Sequence, residues 1–119
     1  MVMMIVYGIP NCDTVKRSRA WLNEQGVAHE FHDFKKAGVP EAHLQAWLKA
    51  TGWEKLINRQ GTMWRRLTDA ERAAVVDAAS AAALARSVPS VIKRPVVEWP
   101  GGAITVGFDA AAWARHLKS

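Results

Sequence analysis

The stretch "YGIPNCDTVKRSRAWL" contains the only cysteine of the chain, Cys12. A Gly-Ile-Pro-Asn turn precedes it and a segment with helical spacing follows. Two readings compete. A lone cysteine packs well as a small inert hydrophobe. A cysteine at a helix start instead meets free N–H groups and the positive end of the helix dipole, and both favour a thiolate nucleophile. Lys16, one turn along, and Arg17 beside it are placed to add positive charge, and Gly8 and Pro10 let the turn approach a substrate closely. This strand–turn–cysteine–helix context favours the nucleophile. Val15 stands where a two-cysteine redox motif would place its second thiol. A resolving thiol must therefore come from outside, from glutathione or from a thioredoxin- or glutaredoxin-like protein. Asp13 opposes a thiolate if it lies close, and its expected role is to cap the helix.

The other chemically equipped residues are more dispersed. The formal charge is +5 and the pI about 9.8, which favours anionic partners. The basic groups are "VKRSR", "FKK", "NRQGTMWRR" and "IKR", spread along the chain. No helix-turn-helix, zinc-finger or RNA-binding signature accompanies them, so nucleic acid is not expected as a partner. His29, His32, His43 and His116 are scattered with no acid or thiol at ligand spacing, so no metal is expected. Trp21, Trp47 and Trp113 sit at helix positions typical of core or rim.

The elements that must position these residues read as follows. The chain has 119 residues, half of them hydrophobic, and is expected to form one domain over 1–119. Residues 2–7 predict a buried strand, and a helix runs from Asp13 or Thr14 to Gln25, with Val15, Ser18 and Leu22 inward and Gly26 as its C-terminal cap. "VAHEFHDF" alternates like a half-buried strand, so residues 2–34 form a βαβ unit with two parallel strands. Pro40 opens a helix carrying Leu44, Trp47 and Leu48. "EKLINRQGTMWRRL" reads as irregular, Thr68 and Glu71 form a capping box, and "SAAALARS" is a short helix that stops before Pro89. "RPVVEWPGGAITVGF" predicts a hairpin. Asp109 then caps a last helix with Ala110, Trp113, Ala114 and Leu117 inward. The order βαβ, helices, ββα predicts an α/β thioredoxin-like plan: a mixed four-stranded sheet flanked by helices, with a helical insertion over about 40–88.

Three motifs, "YGIPNCDTVKRSRAWL", "NRQGTMWRRL" and "PSVIKRPVV", with "VGF" near the end, resemble the ArsC-like family. That family includes glutaredoxin-type arsenate reductases, the Spx regulators and the YffB branch. The likeness to the YffB branch covers nearly the whole chain. The resemblance implies a thioredoxin-like fold and a cysteine-based, glutathione-dependent reductase, with glutathione as co-substrate rather than a bound cofactor. Cys12 matches the catalytic cysteine. Arg59 matches an arginine that lines the active site of arsenate reductases, and Arg94 the arginine before the fold's characteristic cis proline, here Pro95. With Lys93, Lys16 and Asn11, these residues are the implied substrate- and glutathione-binding set. Read without the resemblance, the same Arg and Lys residues are ordinary surface charges or an anion pocket. Arsenate-reducing members carry a further arginine after the closing hairpin. Here that segment is "TVGFDAAA", which points to a different thiol substrate.

The rival expectation is a non-enzymatic regulator like Spx, which binds RNA polymerase and uses cysteine chemistry only as a switch. The missing second cysteine ranks it behind the reductase. The opening "MVMMIVYGIP" lacks a basic leader and a small-residue cleavage site and is too short to cross a membrane. A cytoplasmic location and no membrane partner are therefore expected.

Overall fold

The computed structural model describes residues 3–118. They divide into two compact units, one formed by the stretches up to Phe34 and from Arg94 onward, the other by Lys35–Lys93.

The first unit is built on a mixed sheet of order β2-β1-β3-β4. Strand β1 (Ile5–Gly8) pairs in parallel with β2 (Glu30–Asp33) and antiparallel with β3 (Val96–Glu98), which pairs antiparallel with β4 (Ile104–Val106). Helix α1 (Asp13–Glu24) connects β1 to β2, as the parallel pairing requires. Val2, expected to begin the first strand, lies outside the described residues, and the strand extends one residue further than expected, through Gly8. Strand β2 is shorter than the alternation of residues 27–34 predicts.

Helix α1 buries Val15, Ser18 and Leu22, as their spacing predicts. The Ser18 hydroxyl donates back to the Val15 carbonyl at 2.8 Å, so burying it leaves no donor unpaired. At the far end Gly26 adopts φ 68°, its N–H donates to the Asn23 carbonyl, and the Val27 N–H to that of Leu22. These two bonds form a Schellman motif, which needs the left-handed conformation that glycine adopts without strain.

The core of this unit gathers Met4, Val6, Leu22, Val97, Trp99 and Trp113. Trp113 comes from the last helix of the chain, Ala110–Lys118, whose N–H groups at Ala111 and Ala112 donate to the Asp109 carboxylate as expected, whereas Ala110, expected inward, is exposed because it opens the first turn. Its ring meets Trp99 edge-on at 5.4 Å and Phe108 at 4.8 Å. Strand alternation sends Tyr7, Val96 and Glu98 to the opposite face of the sheet.

The second unit is helical. A single turn, α2 (Phe34–Ala37), leads into it. Helix α3 (Glu41–Thr51) buries Leu44, Trp47 and Leu48, with Pro40 at its N-cap rather than within its first turn. The segment that reads as irregular contains two single turns, α4 (Trp53–Leu56) and α5 (Thr62–Arg66). The Arg72 guanidinium donates to the carbonyls of Trp64, Arg65 and Leu67, satisfying the orphan end of α5. Thr68 and Glu71 form the expected capping box at α6 (Asp69–Ala73), and a second box, Asp77 with Ser80, opens α7 (Ala78–Ser87). A 3₁₀ turn over Pro89–Val91 follows, and the final helix described above is α8. Among the described residues, no helix is long and apolar enough to cross a membrane.

Candidate active site

Cys12 is the N-cap of α1, with extended backbone angles (φ −112°, ψ 126°), and Asp13 is the first helical residue instead of the expected cap. The reason is local. The turn brings the chain in extended through Cys12, whose carbonyl accepts the first helical bond, from Lys16 N–H at 2.9 Å. The half-buried sulfur makes no capping hydrogen bond by geometry, yet it lies in the field of the free amides. Burial pushes the thiol pKa up, but the backbone N–H of Val15, the hydrogen bond and positive charge of the Arg94 guanidinium, and the N–H of Thr14 together hold it below its ordinary value. The net effect favours the thiolate.

The Arg94–Pro95 bond is cis, as the resemblance implied. Pro95 is buried, and its carbonyl accepts the Gly107 N–H at 2.9 Å. The "TVGF" segment is thereby held beside Arg94 and Pro95. Gly8 closes the other side. A Cβ built on it would come within 2.9 Å of Val15 Cγ2, so the absent side chain lets β1 and the first turn of α1 approach. Asn11 and Lys16 are exposed.

Arg59 and Lys93 lie together in the second unit. Ile57 and Ile92 form an isolated antiparallel bridge, flanked by bonds from Asn58 N–H to the Val91 carbonyl (2.8 Å) and from Lys93 N–H to the Leu56 carbonyl (2.7 Å). Beside this bridge is a cavity of about 180 Å³ lined by Glu54, Lys55, Ile57, Asn58, Arg59, Gln60 and Lys93. The Arg59 guanidinium lies over the Trp53 ring at 5.3 Å. The structure thus groups the expected residues as Cys12, Arg94 and Pro95 in one unit and Arg59 with Lys93 in the other. Lys55 escapes a sequence reading, because only the bridge between residues far apart in the chain reveals that it joins them. Among the described residues, no group of three or more His, Cys, Asp or Glu side chains could hold a metal ion.

This sheet, with a cysteine at the first helix start opposite a cis proline, is a thioredoxin-like fold. The chain belongs to the ArsC family, whose model matches residues 7–116. Its structure superposes on that of the YFFB protein with a TM-score of 0.90 at 45% identity, covering 96% of this chain and 98% of the other. An arsenate reductase (ArsC) related protein from Brucella melitensis is 43% identical over 99% of this chain and 97% of its own, with a TM-score of 0.75. The global transcriptional regulator Spx of Streptococcus agalactiae is 27% identical over 100 residues, covering 80% of this chain and 69% of its own.

Proposed function

We propose that the protein is a thiol oxidoreductase with Cys12 as its nucleophile and glutathione as its electron donor. The observation that supports this best is the half-buried Cys12 sulfur at the start of α1, its pKa lowered by helix amides and by Arg94. The Cys12 thiolate attacks the glutathione sulfur of a mixed disulfide. The old S–S bond breaks, the substrate leaves as a thiolate that takes a proton, and Cys12 keeps the glutathione. A second glutathione thiolate then attacks the glutathione sulfur of that adduct, releasing oxidised glutathione and regenerating Cys12. Amides at the start of α1 stabilise negative charge on sulfur in both steps. Arg94 offers a planar, permanently charged donor to the incoming anion. A thioredoxin-like or glutaredoxin-like protein is the alternative source of the second thiol.

Mass spectrometry after incubation with oxidised glutathione tests this reading. A single glutathione adduct on Cys12, released by reduced glutathione, is expected. An unmodified protein under conditions that label an unstructured cysteine peptide rejects it. The likeness to Spx favours a second reading, a regulator that binds RNA polymerase. Polymerase retained on immobilised protein whose Cys12 carries out no turnover would select it.

A further inference from the structure

Residues 35–93 carry ten Lys and Arg against five Asp and Glu, whereas the two stretches of the other unit together carry six of each. The whole net charge of +5 therefore belongs to the second unit, and the unit that holds Cys12 is neutral. Four of the five acids in the second unit are already engaged. Glu41 accepts two bonds of 2.9 Å from Arg86, Asp69 pairs with Arg72, and Glu71 and Asp77 serve helix caps. Only Glu54 remains, and it lines the cavity together with Lys55, Arg59 and Lys93. Arg65 Nε donates to the Gly61 carbonyl at 3.4 Å, which brings a fourth cation to the same Asn58–Gly61 turn.

The size and lining of the cavity indicate what it reads. At about 180 Å³ it falls below the roughly 300 Å³ at which pockets for whole small ligands begin. It has room for one or two small anionic groups, such as those that project from a larger ligand. Cationic side chains and the amides of Asn58 and Gln60 suit a carboxylate. A nucleic-acid strand would want open aromatic faces for its bases, but Arg59 covers Trp53 here.

We infer that this cavity docks carboxylate side chains of an acidic polypeptide, so that the helical unit selects acidic protein substrates. The choice of substrate rests on the thiol-exchange reading above; the docking affinity does not. The probe is a fluorescent glutamate-rich peptide, followed by anisotropy at low and at physiological salt, with a single-stranded oligonucleotide of equal charge as the competitor class. Expected is peptide binding that weakens with salt and falls at least about tenfold in Arg59→Glu/Lys93→Glu, with a smaller loss in Arg59→Gln/Lys93→Gln. The Lys49→Glu/Lys118→Glu protein changes the same charge elsewhere and should keep its affinity within about twofold. Equal loss in that control, tighter binding of the oligonucleotide, or no peptide binding at low salt overturns the docking site. Thermal melts of all variants confirm folding, and the neutral pair carries the comparison if a reversal unfolds. Peptide binding by a protein whose Cys12 takes no glutathione would overturn the exchange reading and leave the docking site standing. The reverse result removes the docking site alone.

Discussion

The guanidinium of Arg94 faces the sulfur of Cys12, although the two residues stand near opposite ends of the chain, and it offers both a hydrogen bond and a full positive charge. Burial works against the thiolate, while Arg94 and the amides of Val15 and Thr14 outweigh it. The thiol should therefore titrate below the ordinary value of about 8.5. Alkylation rate against pH reads this directly. Arg94→Met should move the midpoint upward. The sign for stability follows: a depressed acid pKa contributes stability above the unfolded-state pKa, and that stability is lost as pH falls through the folded-state pKa. A wild-type midpoint at or above the free-thiol value would falsify the nucleophile assignment.

Arg94 should also matter to the anion that arrives. Losing a charge-assisted donor of this kind costs about 1.5–3 kcal/mol, or one to two powers of ten in turnover. Arg94→Ala should show that loss in a mixed-disulfide assay, and Arg94→Lys should recover only part of it, because the planar fork is gone. Lys118→Ala, exposed near the end of α8, is the control. Arg86 is a poor one, because it holds Glu41 through two bonds. Equal rates in Arg94→Ala and the control would sink the assignment.

Tyr7, the only tyrosine, donates its hydroxyl to Glu98 Oε1 at 3.0 Å and lies 2% exposed. Burial, the bond to Glu98 and the negative charges of Glu98 and Glu30 all raise its pKa far beyond the ordinary tyrosine value. Absorbance titration should therefore show no phenolate in the folded protein as pH passes the free-tyrosine value of about 10. Stability should be intact below that free value and fall as pH rises above it. Tyr7→Phe should flatten this alkaline slope while costing about 1 kcal/mol near neutrality. A phenolate signal with an ordinary midpoint and no unfolding contradicts the buried bond.

Gly8 and Val15 form the tightest approach behind the active-site turn, with room for no Cβ. Gly8→Ala should cost about 1–3 kcal/mol by overpacking. In Gly8→Ala/Val15→Ala the methyl that blocks it is removed, so the two penalties should fall short of additivity in denaturant titrations. Additive penalties would show that the contact does not govern the packing.

Much of this arrangement is legible from local pattern. Helix α1 follows from Val15, Ser18 and Leu22 at helical spacing, its end from Gly26, and the hairpin from "PGG". The capping box of Thr68 and Glu71 is a four-residue signal. What escapes is set by tertiary contact or by weak local signals. α4 and α5 are single turns stabilised by Arg72 and by the Ile57–Ile92 bridge, which no periodicity announces. Lys55 joins Arg59 and Lys93 through that same bridge. Asp13 falls inside the first turn although aspartate is a good cap in general, because the extended turn leaves Cys12 as the N-cap. Cys12 itself was identifiable from its context, but its pairing with Arg94 required the resemblance.

The last prediction concerns which oxidised substrate is reduced. The Gly107 N–H bond to the Pro95 carbonyl holds the start of "TVGFDAAA" beside Pro95, and this is the segment in which the resemblance implies a further arginine for arsenate-reducing members. This segment offers no cation. Its Phe108 instead packs on Trp113 at 4.8 Å and on Trp21 at 6.1 Å. Arsenate and its cysteine adduct concentrate several negative charges in a small volume, so one missing charge-assisted donor costs about 1.5–3 kcal/mol of transition-state stabilisation, up to two powers of ten. Glutathione spreads its charges over a larger ligand and depends less on a donor at that point. With glutathione as donor and Cys12→Ser as blank, arsenate turnover should be weak or absent beside Cys12-dependent reduction of a glutathione mixed disulfide. Introducing an arginine by Phe108→Arg does not test this cleanly, because it removes a core contact. Ala110→Arg, at the exposed start of α8, does so with less disturbance and should raise arsenate turnover if it reaches the sulfur's anion. Faster turnover of arsenate than of the mixed disulfide by the unaltered protein would refute the inference from the missing cation.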